Sequence, residues 1–264
     1  METSEFRLGR LFARDSGRAM IVAFDRGLGA SAKGGGESAS AVVQAVVDAG
    51  ADGILLSPGL LERNRQHLAH RNAPAVLVRT DFIFMGALQP QGTAASGEEY
   101  RRLIDAKEAA AIGADAIVMF LILGNPDDAI TADNCRAVAR AAREAHQVGI
   151  PLIVETVLWG SLVQNQSDPE ALIYVNRLAA ELGADAVKTQ YTGDVASMRA
   201  VVSNTPVPLL LLGGPKTDDI EALRRNTTDA LSSGARGLVY GRNVWQATDP
   251  TTAARTLHNL VHSA

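Results

Sequence analysis

Cysteine is almost missing from this 264-residue chain. The lone Cys135 excludes an internal disulfide and a cysteine-built metal cluster, and it reads as a small core residue in a predicted helix. Aromatic residues make up only 5%, so Ala, Val and Leu must fill the interior. No apolar run approaches the roughly 18 residues that mark a membrane span. Residues 1–18 are charged and lack the apolar stretch of a secretion signal, so a cytoplasmic protein with no membrane partner is the expectation. Excess positive charge is absent too. A formal net charge of −4 gives no electrostatic reason to expect nucleic acid or an anionic surface as partner. Any anionic ligand must be captured by a local site. Lysine is rare, four residues against twenty-one arginines, which makes a lysine inside an apolar strand worth explaining.

What is present is alternation. Apolar runs at 19–24, 53–56, 75–78, 116–121, 151–155, 207–212 and 238–240, and one ending at Lys188, read as strands. Helical patterns cover 37–48, 98–112, 128–147, 196–202, 218–233 and 250–261, and further helices open at Ser57-Pro58-Gly59 and Asp168-Pro169-Glu170. Residues 28–36 are a Gly/Ala/Ser-rich loop. A longer connection, 80–97, surrounds Phe82-Ile83-Phe84-Met85. Connections of that length tend to be lids or binding loops. Strand and helix alternate eight times, which predicts a closed parallel (β/α)8 barrel spanning 1–264 as one domain; a doubly wound open sheet is the rival. Four helix-to-strand junctions share one form: Gly50-Ala51-Asp52-Gly53, Gly113-Ala114-Asp115-Ala116, Gly183-Ala184-Asp185-Ala186 and Gly234-Ala235-Arg236-Gly237. Each glycine suits a left-handed helix C-cap, and the third, fifth and seventh strands of the alternation are entered through Pro74, Pro151, and Pro206 with Pro208. This reads as a two-strand unit repeated four times.

Barrel enzymes place their chemistry at the C-terminal ends of the strands. Those ends read Asp25, Ser57, Arg79-Thr80-Asp81, Gly124-Asn125, Glu155-Thr156, Lys188-Thr189-Gln190-Tyr191, Gly213-Gly214 and Gly241-Arg242-Asn243. None is histidine, so a histidine metal site or a Ser-His-Asp triad is not expected there. Lys188 has two readings: a structural ion pair with Asp25 or Glu155, or an amine nucleophile. Burial disfavours the ammonium ion, and a neutral amine can attack a ketone or aldehyde to form a Schiff base. Asp25 is the candidate carboxylate facing that amine, and Glu155 and Tyr191 are weaker acid/base candidates. The glycine turns Gly213-Gly214 and Gly241, with Arg242, fit a phosphate site after the last two strands.

Phe24-Asp25-Arg26-Gly27, Lys188-Thr189-Gln190-Tyr191-Thr192-Gly193-Asp194, the Gly213-Gly214 turn and Gly241-Arg242-Asn243 together resemble the archaeal-type class I fructose-bisphosphate aldolases, in a wider group with deoxyribose-phosphate aldolase-like and autoinducer-2-processing enzymes. The resemblance runs from about residue 18 to 262. It implies a Schiff-base lysine at Lys188 with Asp25 near it and phosphate binding by Gly213, Gly214, Gly241 and Arg242. It also implies no cofactor or metal, a phosphorylated keto substrate and a homo-oligomer. One departure stands out. Where the fructose-bisphosphate enzymes carry Tyr-Pro-Arg-Gly after the fifth strand, this chain has Val157-Leu158-Trp159-Gly160. The acid/base tyrosine is missing, as is the arginine that could hold a second phosphate, which leaves Glu155 or a water for proton transfer. Three functions are carried forward: a Schiff-base aldolase, thiolase-like acyl transfer on a phosphorylated diketone, and a non-catalytic phosphosugar-binding barrel.

Overall fold

The computed structural model describes residues 4–12, 14–29, 31–84 and 99–263. Its strands are β1 (Ala19–Phe24), β2 (Gly53–Leu56), β3 (Ala75–Arg79), β4 (Asp81–Phe84), β5 (Glu99–Arg102), β6 (Ala116–Leu123), β7 (Leu152–Leu158), β8 (Ala186–Thr189), β9 (Leu209–Leu212) and β10 (Gly237–Tyr240). The helices are α1 (Ser4–Leu11), α2 (Ala39–Ala49), α3 (Pro58–Leu68), α4 (Ala106–Ala111), α5 (Asp128–Gln147), α6 (Pro169–Glu181), α7 (Val195–Asn204), α8 (Ile220–Ser232), α9 (Arg242–Trp245) and α10 (Pro250–Ser263). Eight parallel strands close into a barrel in the order β1-β10-β9-β8-β7-β6-β3-β2. The predicted (β/α)8 fold is the one observed. Among the described residues no helix is long and apolar enough to cross a membrane.

Alternation along each strand sorts two cores. Met20, Val22, Ile54, Val76, Val78, Ile117, Met119, Val154, Val187 and Leu211 point outward under the helices. Ala19, Ile21, Leu55, Ala75, Leu77, Ala116, Val118, Ile153, Ala186, Leu210 and Val239 fill the interior. Both strand faces are therefore buried, as parallel barrels require. The same parity carries the chemistry: continuing the inward positions by two residues reaches Arg79 on β3, Phe120 on β6, Glu155 on β7 and Lys188 on β8.

The repeated junction has a physical reason. Its glycines take φ of +74° (Gly50), +100° (Gly113), +104° (Gly183) and +102° (Gly234), which glycine adopts without a Cβ clash. Each junction aspartate then accepts a backbone N–H at the start of the preceding barrel strand: Met20 N to Asp52 at 2.8 Å, Val76 N to Asp115 at 2.9 Å and Leu152 N to Asp185 at 2.8 Å. In the fourth unit Arg236 takes that place and donates to the Gly17 carbonyl.

The lead before β1, to which the sequence assigned no element, contains α1, whose Leu11 is wholly buried and plugs the N-terminal end of the barrel against Ile21 and Gly53. One expectation fails. The predicted helix 98–112 is helical only over α4. Before it, β5 pairs antiparallel with β4, Asp81 opposite Arg102 and Ile83 opposite Tyr100. Of the 80–97 connection, residues 85–97 lie outside the described residues, so its expected role as a lid or binding loop is left there.

Candidate active site

Lys188 sits at the inward position of β8, only 5% exposed, and its Nζ meets Glu155 Oε1 at 2.8 Å across the β7–β8 ladder, where the two residues are register partners. Glu155 also bonds the Arg79 guanidinium. Arg79 Nε donates to Asp25 Oδ2 at 2.9 Å, and its Nη1 lies 3.5 Å from Asp81 Oδ1. The expected partner Asp25 is thus tied to Arg79 and reaches Lys188 through the Arg79–Glu155 pair, whereas Glu155 meets the amine directly. Arg79 is the hub that sequence reading left without a role. The signal was available: it closes the apolar run Ala75-Val76-Leu77-Val78, as Lys188 closes its own.

Three carboxylates surround two cations here, and the protein resolves the imbalance at Asp81. Burial drives the Asp81 carboxyl up to about 7, against the opposing pull of Arg79 and the Phe120 backbone N–H. Burial also raises Glu155, but Lys188 and Arg79 more than offset it, and the carboxyl lies below its usual range. Burial thus biases Asp81 toward its protonated form, the direction that lessens the excess of carboxylates over cations in the cluster. The Arg79 guanidinium also lies 3.9 Å from the Phe120 ring centre, a cation–π contact that fixes its plane.

A cavity of about 510 Å³ opens above this cluster, within the size range of small-ligand sites. Asp25, Glu155, Lys188, Gly213, Gly214, Gly241 and Arg242 all line it, so of the residues given a role from the sequence all but Tyr191 come together there. Gly214 has φ +60°. A Cβ on Gly213 would come 2.6 Å from the Tyr240 ring, and one on Gly241 would come 2.7 Å from the Ala23 carbonyl oxygen. The turns therefore present bare backbone to the cavity. Asn243 joins them, donating to the Gly213 and Pro215 carbonyls and accepting from Thr217 N. Arg242 and Arg26 both line the cavity, and among the described residues neither is paired with a carboxylate. Burial and the like charge of Arg26 hold the Arg242 guanidinium below its ordinary value; an anion placed between the two would relieve both effects. Tyr191 is not among the lining residues and packs into the outer core.

Among the described residues, Asp52, His258 and His262 place three potential metal-ligand atoms within 4.8 Å of one another. This cluster lies at the opposite, N-terminal end of the barrel. Asp52 already accepts from Met20 N, Arg14 Nε and His262 Nε2, so its evident work is to fasten α10 beneath β1.

The profile of the DeoC/LacD family aldolases matches residues 19–247. An uncharacterized aldolase of Saccharolobus solfataricus is 33% identical over 260 residues, covering 98% of this chain and 94% of that protein. The class 1 fructose-bisphosphate aldolase of Thermoproteus tenax is 32% identical, covering 96% and 92%. A solved archaeal fructose-1,6-bisphosphate aldolase, with its catalytic lysine covalently bound to the carbinolamine intermediate of its substrate, superposes with a TM-score of 0.84 at 29% identity over 98% of this chain and 99% of its own. With a match across most of its length, the chain belongs to the DeoC/LacD family of aldolases.

Proposed function

We propose that this aldolase works through an imine on Lys188, formed with a phosphorylated ketone such as dihydroxyacetone phosphate. The observation that carries the proposal is the buried Lys188–Glu155 pair at 2.8 Å on the floor of a cavity whose far rim is built from glycine turns and Arg242. Family membership supports a carbon–carbon lyase over acyl transfer or a non-catalytic barrel. The carbinolamine held by the lysine of the archaeal neighbour supports the same chemistry here.

In this reading the Gly213, Gly214 and Gly241 backbones and Arg242 grip the phosphate, and that sets the carbonyl over Lys188. Glu155 takes a proton from Lys188, the amine attacks the carbonyl carbon, and the resulting carbinolamine loses water to give a protonated imine. The imine draws electrons from the adjacent C3–H bond. Glu155, with Asp25 held ready by Arg79, receives that proton and leaves an enamine. The enamine carbon then bonds to the carbonyl carbon of an aldehyde, the aldehyde oxygen takes a proton, and water hydrolyses the imine to return the free amine. Run backward, the same steps cleave the bond. This assignment gives Glu155 the proton transfers that a tyrosine serves in the fructose-bisphosphate enzymes. A cytoplasmic homo-oligomer belongs to the same reading.

The half-reaction tests it without knowledge of the aldehyde. In D2O, NMR should show exchange of a C3 proton of dihydroxyacetone phosphate for deuterium with the native enzyme and none with Lys188→Met. Equal exchange rates for the two proteins would overturn the assignment.

A further inference from the structure

The order of strands around the barrel divides the cavity into two unlike halves. Arg26, Gly213, Gly214, Gly241 and Arg242 follow β1, β9 and β10, which are contiguous in the ring. Lys188 and Glu155 on β8 and β7 come next, and beyond them are the ends of β6, β7 and the β4 hairpin. That second half is walled by Ile83, Phe120, Val157, Leu158 and Trp159. Ile83 and Val157 are almost fully buried and form a small core of their own with Ile122, against which Phe120 and Trp159 pack. The two rings meet at 5.7 Å between centres.

Among the described residues that line this wall, no cation is available to an anion. Arg79 is 2% exposed and committed to Asp25, Asp81 and Glu155, with its guanidinium close against the Phe120 ring. Residues 159–166, which leave β7, contain no Lys, Arg or His. Gln166 supplies a neutral polar group at the edge. A dianionic phosphate placed here would lose its water and gain no counter-charge, whereas an apolar or aromatic group would bury surface against a wall already shaped for it.

We propose that this half of the cavity is the subsite for the second substrate, and that it takes an uncharged aldehyde with an apolar or aromatic body rather than a phosphorylated one. The proposal rests on the Schiff-base reading, since it needs an enamine on Lys188 to attack the aldehyde carbon. It goes beyond that reading by assigning the acceptor's chemistry. The enamine carbon forms the new bond, the aldehyde oxygen takes a proton, and water releases the product, so no further reactant is needed.

The test fixes dihydroxyacetone phosphate as donor and compares phenylacetaldehyde and isobutyraldehyde with glyceraldehyde 3-phosphate and glyoxylate, while the C3 exchange of the donor alone is followed in parallel. The expected result is exchange, with kcat/KM for a neutral apolar aldehyde at least tenfold above that for either anionic one. Exchange with equal or better use of an anionic aldehyde, or of none at all, would overturn the acceptor assignment and leave the Schiff base standing. Absence of exchange would overturn both. Trp159→Ala supplies a second readout: it should raise the KM of the apolar aldehyde at least fivefold more than that of dihydroxyacetone phosphate. Equal shifts in the two KM values would count against the wall.

Discussion

Replacing Glu155 with glutamine keeps the side chain's shape and removes its charge, which makes it the sharpest probe of the cluster. Two opposite charges 2.8 Å apart attract by about 6 kcal/mol at an effective dielectric of about 20. Desolvation offsets much of that in the intact pair, but removing one partner leaves the other charge buried and unpaired, which typically costs about 3–5 kcal/mol. Glu155→Gln does so for Lys188 and takes a carboxylate from Arg79 as well, while Asp25 still holds the latter. A stability loss of about 3–5 kcal/mol is therefore expected near neutral pH. The sign with pH follows from the lowered carboxyl of Glu155. Its stabilisation is complete above the ordinary carboxylate range and fades as pH falls below it, so the gap between native and variant should close in acid. Turnover should fall by about 10²- to 10⁴-fold, the usual worth of a positioned acid/base. Urea melts from pH 3 to 8 together with steady-state kinetics measure both effects. A variant with native stability at pH 7 and turnover within fivefold of native would refute the reasoning.

Two further outcomes follow from the same physics. Asp81→Asn should be close to neutral in stability at pH 3, where Asp81 carries its proton in both the folded and the unfolded chain, and comparatively stabilising at pH 8. A carboxyl raised to about 7 makes the native protein lose stability as pH rises between the unfolded and folded values, and thermal melts at the two pH values would show the crossover. Asp52→Ala strips the Met20 N–H and His262 of their shared acceptor and should cost about 1–3 kcal/mol, with earlier proteolytic release of α10 than of the barrel helices.

Much of this was legible in the chain. A lysine or arginine that ends an apolar run in a parallel strand has nowhere to go but inward, and that parity pointed to Lys188 and would have pointed to Arg79. The glycine turns were visible because close backbone approach and left-handed φ leave only glycine. The partner of Lys188 was not fixed by the same means. Which carboxylate meets the amine depends on the stagger of β7 against β8, a property of the closed ring that no single strand records. The β4–β5 hairpin was hidden for another reason. Glu99-Tyr100-Arg101-Arg102 has good helix formers, and only its pairing with residues 81–84 overrides that preference. The charged segment Ser4–Leu11 gave little sign of a helix, because Leu11 is its only fully buried apolar residue, with Leu8 half-buried beside the same core.

The central claim is that the ε-amine of Lys188 bonds covalently to the substrate ketone. Borohydride added to the enzyme with saturating dihydroxyacetone phosphate should fix that adduct as a secondary amine, and peptide mass spectrometry should find the added mass on Lys188 alone. An unmodified Lys188 under those conditions, or the adduct on Lys33, Lys107 or Lys216 instead, would contradict it.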